Sequence, residues 1–579
     1  MKPFAERRAE LQARFPTWVP RTLCDVFDAL VEEFADRPLV ITDGATYTYR
    51  DVQEWSTRIA HGLVASGVTA GEHVAIVLAN HPEFVAVKLG IARVGAVAIP
   101  INFLNRRDEL GYLLEQSDAV TLITMDRFRG VDHLGALDEL APGWERHGGG
   151  DRFPRLRQVV VFRAEGDGRD GATTLEELAT AYDATGTSGT PVGGFGPDAI
   201  LDILYTSGTT GTPKGVMLTH DMFLRTSYGS AYGRAFEDGR RIAFSLPMYH
   251  VFGYVEGLLA ALWVGGAIVP QLNFDPADTL RSIVEHQAND VLLVPVMTQA
   301  VIEAARAGSY DLSGLTSIIS SGGFSPPGIW EDIAEVFAVA EVTTGYGMSE
   351  TTASTTVTKM DDTIDTWRTT NGKLRDVGVA GDPANGGLLA VYRVVDPATG
   401  RELPHGEVGE LMVRGIGVTR GYYDKPEENA LAFDEEGWLR TGDLGTLSAD
   451  SYVTLAGRRK EAYRCGGEQV MPAEVEAVLL GHPAVAQAHI VAVDDRRMGE
   501  AGFAWIVPTI GATVDGEELI AYCAQRLARF KVPKYVATLG AGEVPLTPSG
   551  RPRKFLLAER ATAQVVAGTR AVGGPGVVG

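Results

Sequence analysis

The sequence predicts an α/β protein with a large multi-sheet N-terminal domain and a smaller α+β C-terminal domain. Three observations predict it. Short β-branched runs ending in Gly or Pro alternate with longer amphipathic runs, the rhythm of a largely parallel sheet with covering helices. The 579 residues exceed what one core organises. The pattern then changes near 455–460, where a compact helix–strand–strand–helix series begins.

In chain order, "HVAIVLAN" (73–80) reads as a buried strand and "HPEFVAVKLGIARVG" (81–95) as the helix after it. "VAIPIN" (97–102) is a strand, "RDELGYLLEQSD" (107–118) a helix and "AVTLITM" (119–125) a strand. Residues 126–199, with "RHGGGDRF" and "GTSGTPVGGFGPD", read as an irregular, partly mobile region. The strand rhythm resumes in "RIAFSLPM", "DVLLVPVM" and "LTSIISSGG". Ligands in such sheets collect at the carboxyl ends of strands. Beyond "GRRK", "PAEVEAVLLGH" opens a helix with Pro472, "AVAQAHIVAVDD" and "GFAWIVP" are strands, and "DGEELIAYCAQRLARF" is a helix. The expected divisions are 1–456, a junction at 457–460 (the hinge of the family resemblance given below), a small domain at 461–560 that the same resemblance makes mobile, and a disordered tail at 561–579.

Composition narrows the function. Hydrophobic residues make up 45% and charged residues 22%, as in ordinary globular domains. A net charge of −22 and a pI near 5.0 argue against nucleic acid as a partner. The three cysteines have no paired spacing, so neither a zinc site nor a disulfide framework is indicated. The start is too charged for a signal peptide, and no apolar run is long and clean enough to span a bilayer. A cytoplasmic location is expected.

"YTSGTTGTPKGV" (205–216) follows the strand pattern "AILDILY" directly. Glycines let backbone N–H groups approach a phosphate, hydroxyls add donors, and Lys214 adds charge. The loop is not a Walker A motif, because Lys214 is followed by Gly215. It resembles the signature of the adenylate-forming superfamily: acyl-CoA synthetases, peptide-synthetase adenylation domains and luciferases. Further motifs fall in that family's order over about residues 25–560, and the succession is far more specific than any one of them. The resemblance implies activation of a carboxylic acid by ATP as an acyl-adenylate, and transfer to the thiol of coenzyme A. It also implies a small domain that swings between an adenylating and a thioester-forming pose.

By that resemblance, Thr206, Ser207, Gly208, Thr209, Thr210, Gly211 and Lys214 hold phosphates. Gly322 and Gly323 of "SSGG" line the adenine pocket. In "GYGMSE", Tyr346 offers a ring face to adenine, Gly347 and Met348 form the floor, and Ser349 meets the phosphate or the substrate carboxylate. Glu350 would hold Mg²⁺, a hard cation that prefers oxygen ligands. Asp443 of "RTGD" would accept from the ribose hydroxyls, and Arg458 of "GRRK" would lie near the ribose or phosphate. Lys460 would be the hinge. Gly466 and Gly467 would give passage to the pantetheine arm of CoA. His250 of "PMYHVFG" would border the acyl site. Gly253 and Gly257, on one face if this segment is helical, leave room either for a bulky acyl group or for close helix packing.

One position departs from the family. "PLTPSGRPRK" carries Arg551 after Gly550, where the family has a lysine that bridges the substrate carboxylate and the α-phosphate during adenylation. A guanidinium is a wide planar fork and an ammonium a compact point charge. The expectation is thioesterification of an acyl-adenylate with weak or absent adenylation of the free acid, a separate enzyme then supplying the adenylate. The alternatives are a complete ATP-dependent acyl-CoA synthetase, a non-catalytic nucleotide- or acyl-binding protein, and a peptide-synthetase module. Lys554 would replace Arg551 only if the register slipped by three residues, which the Gly turn and Pro552 oppose.

Overall fold

The β-branched runs assemble into two seven-stranded sheets, mostly parallel, whose strands are joined through the amphipathic segments. The computed structural model describes residues 2–180, 194–206, 213–323, 325–326, 328–459, 461–466, 468–546 and 552–566. In one sheet the order is Glu341–Thr343, Ser317–Ser320, Asp290–Leu293, Arg241–Phe244, Ala267–Pro270, Pro38–Ile41 and Thr46–Thr48. All neighbours are parallel except the last pair. In the other, Lys214–Thr219 and Ile200–Thr206 form an antiparallel edge on the parallel series Val97–Pro100, His73–Val77, Thr121–Met125, Gln158–Phe162 and Thr173–Thr174.

The helix expected at 81–95 is Pro82–Val94, with Pro82 at its first turn and Gly95 in the left-handed region (φ 75°) closing it. It is buried all round, which explains its run of apolar residues. Within 126–199, the described residues 126–180 carry more regular structure than the glycine runs imply. Gln158–Phe162 inserts as a parallel strand beside Thr121–Met125, and Leu175–Thr180 is helical. Five apolar-rich residues were enough for a buried strand despite the flanking glycines.

Two further sheets follow. Ala390–Val395, Gly409–Gly415, Leu439–Leu447 and Val453–Arg458 form a four-stranded antiparallel sheet with its own core around Tyr392, Leu411, Val413 and Val453. From 461 on, Glu468–Val470, Tyr463–Cys465, Gly499–Pro508 and Val485–Asp495 build a fourth sheet, and Tyr535–Thr538 pairs Gly499–Pro508 in parallel. Helices Pro472–Leu480 and Gly516–Ala524 pack on it. The last helix, Lys554–Val566, buries Leu557 and Ala561, so ordered structure continues six residues into the stretch expected to be tail.

At the other end, helix Phe4–Arg14 sends Arg7 into the body. Its guanidinium donates to Ala235 O at 2.6 Å and pairs with Glu341, which also pairs with Arg240 at 3.0 Å. Among the described residues no helix is long and apolar enough to cross a membrane.

Candidate active site

The two glycine-bearing motifs of the parallel sheet meet because their strands are neighbours. Ser317–Ser320 and Glu341–Thr343 pair in parallel, so "SSGG" and "GYGMSE" leave the same sheet edge side by side. Ser321 Oγ donates to Gly345 O at 2.6 Å and joins them. Gly322 has φ +90°, a conformation L side chains rarely adopt, and its α-carbon faces Val294 and the ring of Phe252. Gly323 faces Pro295. After Gly347–Met348, Ser349 and Glu350 open a single 3₁₀ turn, Ser349–Thr351, and both are buried.

The hairpin Ile200–Thr206/Lys214–Thr219 sets Thr206 opposite Lys214 at its open end. The expected phosphate-binding residues Ser207, Gly208, Thr209, Thr210 and Gly211 lie between them, outside the described residues. Lys214 is described: its Nζ lies 5.0 Å from the centre of the Tyr422 ring. Segment 421–423 runs antiparallel along the strand of Lys214, with Met217 N donating to Gly421 O at 3.0 Å and Tyr423 N to Gly215 O at 2.8 Å. That strip delivers the Tyr422 hydroxyl to Glu350 Oε1, to which it donates at 3.0 Å. Thr419 N donates to Glu350 O at 2.7 Å. Burial pushes the Glu350 carboxyl above its ordinary range, while the Tyr422 hydrogen bond and the charge of Arg458 act against this.

Asp443 and Arg458 face each other as a cross-strand pair in the antiparallel sheet. Arg458 Nε lies 3.1 Å from Asp443 Oδ1, and the buried Tyr346 hydroxyl donates to Asp443 Oδ2 at 2.5 Å. Thr441 Oγ1 accepts from Asp443 N at 3.1 Å and fixes the turn. Asp443 raises the pKa of Arg458 further, and burial raises that of Tyr346. Tyr346, expected to offer its ring to adenine, is thus also the partner that orients Asp443.

His250 is half-buried, and its Nδ1 accepts from Phe252 N at 3.3 Å. Phe252–Leu259 is a π-helix, a widened turn type frequent at functional sites. The two readings of Gly253 and Gly257 are decided here in favour of close packing. A β-carbon on Gly253 would lie 2.5 Å from Leu246 O, and one on Gly257 2.8 Å from the Phe244 ring. Gly466 has φ +62°, and a β-carbon there would lie 2.7 Å from Met498 Cε. Cys465 is buried, which raises its thiol pKa, as suits a packed thiol rather than a nucleophile.

Lys460, Gly467 and Arg551 lie outside the described residues. The ends of the Arg551 loop are tied together: Leu546 bridges Pro552, and Arg553 N donates to Pro545 O at 2.7 Å. Lys554 is committed elsewhere, its Nζ lying 2.9 Å from Glu461 and 2.8 Å from Glu476. Among the described residues no group of three or more His, Cys, Asp or Glu could hold a metal. A single buried carboxylate is still the donor set expected for Mg²⁺ that arrives with nucleotide phosphates as its main ligands.

Tyr422 is the site residue that sequence reasoning missed. Its signal was the pair "GYYDKP" before a helix start, which carries no chemistry until Glu350 and Lys214 are seen beside it.

Two large α/β sheets, an antiparallel sheet carrying Asp443 and Arg458, and a small α+β unit are the architecture of nucleotide-dependent, adenylate-forming ligases. The AMP-binding enzyme family matches residues 27–423, and the AMP-binding enzyme C-terminal domain matches 474–551. The chain belongs to the AMP-binding enzyme family and is an acyl-CoA ligase of it. It is 33% identical to the putative acyl-CoA synthetase YngI of Bacillus subtilis, over 93% of this chain and 97% of that protein. It is 31% identical to the 3-[(3aS,4S,7aS)-7a-methyl-1,5-dioxo-octahydro-1H-inden-4-yl]propanoyl:CoA ligase of Mycobacterium tuberculosis, over 93% and 99% of the two chains. ATP-bound MatB from Rhodopseudomonas palustris superposes with a TM-score of 0.80 at 25% identity, covering 93% of this chain and 99% of that one.

Proposed function

We propose that the protein is an ATP-dependent acyl-CoA synthetase that carries out two displacements at one site. The carboxylate oxygen attacks the α-phosphorus of ATP, and the bond to pyrophosphate breaks. The thiolate of CoA then attacks the acyl carbon, and the bond to AMP breaks. One observation carries this reading: Lys214, Glu350 and Asp443 come from three separate chain segments and converge through Tyr422 and Arg458. Thr206, Ser207, Gly208, Thr209, Thr210, Gly211 and Lys214 take the phosphates, Gly322, Gly323 and Tyr346 the adenine, and Gly347 and Met348 form the floor of the site. Asp443 and Arg458 take the ribose side. Glu350 holds Mg²⁺, which supplies charge neutralisation on the phosphates, and Ser349 meets the reacting oxygens. His250 borders the acyl group, Gly466 and Gly467 the pantetheine arm, and Lys460 is the hinge between bodies divided near 457–460. The name of the Mycobacterium tuberculosis relative specifies a bicyclic propanoyl group, which favours a bulky, largely apolar acid as substrate.

A second reading concerns the balance of the two steps. Arg551 stands where the family has its adenylating lysine, and Lys554 is engaged by two glutamates and so is no substitute. In this reading adenylation is slow relative to thioesterification, and an acyl-adenylate from a separate enzyme serves the second step. Two assays decide: free acid with ATP, read as pyrophosphate release, and synthetic acyl-AMP with CoA, read as acyl-CoA. Efficient pyrophosphate release removes the second reading. Failure of both assays across a panel of acids removes the enzymatic reading in favour of a binding protein.

A further inference from the structure

The π-helix after His250 carries a buried acid that none of the steps above uses. Glu256 lies within Phe252–Leu259 and is fully buried. Both of its carboxylate oxygens are engaged. Arg375 Nη1 donates to Oε1 at 3.0 Å and Arg375 Nη2 to Oε2 at 3.3 Å. Ser230 Oγ donates to Oε2 at 2.5 Å, and Ser354 N to Oε1 at 3.3 Å. Burial acts to raise the Glu256 carboxyl, but the charges of Arg375 and Arg234 and the bonds from Arg375 and Ser230 outweigh it and hold the group below its ordinary range.

The donors come from three other segments. Ser230 is in helix His220–Gly233. Ser354 pairs with Gly347 in the hairpin Gly347–Met348/Ala353–Ser354, whose connecting turn holds Ser349 and Glu350. Arg375 N donates to Thr355 O at 2.9 Å, next to Ser354. Gly229 leaves room for that segment, since a β-carbon there would lie 2.2 Å from Val377 Cγ1 and 3.6 Å from Arg375 Cδ. The π-helix itself starts at Phe252, whose ring lies beside Gly322, two residues after His250. One carboxylate therefore bridges the helix that borders the acyl group and the hairpin that bears Ser349 and Glu350. Apolar side chains of the same size could fill this space with equal or greater stability. They could not accept the Ser354 N–H or tie the segments in one geometry.

The geometry points to Glu256 and Arg375 as positioning residues for activation of the acid: their pair fixes the Ser349–Glu350 turn relative to the acyl-bordering π-helix. This rests on the reading of the site as the place where the acid meets ATP. Displacement of reacting groups by about 1 Å costs on the order of a hundredfold in rate, so the pair matters to the chemistry beyond its share in stability.

Two variants separate these roles. Glu256→Met combined with Arg375→Met removes both buried charges together, and its melting temperature should exceed that of either single variant. Pyrophosphate release with acid and ATP should nevertheless stay about a hundredfold below wild type in kcat, with KM for ATP unchanged. Recovery of kcat together with stability would reduce the pair to a structural role and overturn the inference. Glu256→Asp keeps the charge and shortens the reach by one methylene, so it holds the test open if the double variant does not fold. A fall in kcat of about tenfold or more is expected there, and wild-type kcat in folded Glu256→Asp overturns the inference. Amide hydrogen exchange of peptides covering 347–354 gives a readout independent of turnover: exchange about tenfold faster in the double variant, confined to this hairpin, is expected, and unchanged protection counts against the pair. A wild type inactive in both half-reactions refutes the functional reading instead, and the exchange still decides whether Glu256 holds the hairpin.

Discussion

The Tyr422 hydroxyl donates to Glu350 Oε1 at 3.0 Å, and the face of the same ring lies 5.0 Å from Lys214 Nζ. One aromatic side chain therefore touches both the cation of the glycine-rich hairpin and the carboxylate proposed for the metal. Tyr422→Phe keeps the ring and removes the donor. The Glu350 anion loses a stabilising partner, so its pKa, already raised by burial, rises further. The acid limb of the adenylation pH–rate profile moves to higher pH. The rate falls about tenfold to a hundredfold, the worth of one hydrogen bond to a charged group, about 1.5–3 kcal/mol. Pyrophosphate release measured from pH 5 to 9 checks both.

Asp443 is held by Tyr346 at 2.5 Å and Arg458 at 3.1 Å, so its carboxylate is oriented before any ligand arrives. Asp443→Asn keeps the shape and an acceptor for Tyr346, but removes the charge opposite Arg458. KM for ATP is expected to rise about tenfold, with a smaller effect on kcat, because a ground-state contact is lost. Steady-state kinetics at varied ATP separate the two, and isothermal titration with AMP provides a direct affinity.

Arg551→Lys restores the compact cation of the family pattern. Adenylation should accelerate about tenfold or more, in keeping with the cost of a misplaced charged donor. Thioesterification of supplied acyl-AMP should not change. Equal adenylation rates in the two proteins would show that arginine serves as well as lysine.

Two buried histidines predict acid lability. Burial lowers His133 from 6.5 to about 4, and burial, with the nearby charge of Lys88, lowers His220 to about 4. His220 Nδ1 accepts from Leu23 N at 3.0 Å, a bond that needs the neutral ring. The unfolded chain binds these protons first, so this contribution to stability is intact above pH 6.5 and is lost as the pH falls toward 4. Each group adds up to about 1.4 kcal/mol per pH unit across that window. Denaturant midpoints should drop steadily from pH 7 to 5, and His220→Asn should flatten the slope by about one proton.

Much of the frame was legible because buried parallel strands are short β-branched runs that end in turn formers. His73–Val77, Val97–Pro100 and Thr121–Met125 all fall inside the stretches read as strands. The antiparallel sheet between 390 and 458 was not read as such. Its strands lack a clean alternation: Ala390–Val395 alternates buried and half-buried residues only at its start, Gly409–Gly415 buries five in a row, and the register shifts near Glu410 and Leu444. Gln158–Phe162 was hidden by the glycine-rich segments on both sides. For the candidate site, motifs singled out Glu350, Asp443 and Arg458 but did not disclose how their side chains are held. The Tyr422–Glu350 bond spans 72 residues, and the Tyr346–Asp443 bond 97. Such pairings follow from topology, which no local pattern encodes.

The Arg7–Glu341 pair joins residues 334 positions apart, and the family match starts only at residue 27. Helix Phe4–Arg14 has no place to dock until Ala235 and then Glu341 have been made. For most of synthesis the chain carries this helix undocked, and Arg240 and Glu341 reach their final surroundings only when it returns. Helix Phe4–Arg14 is thus set in place through a contact of long sequence separation, which forms late.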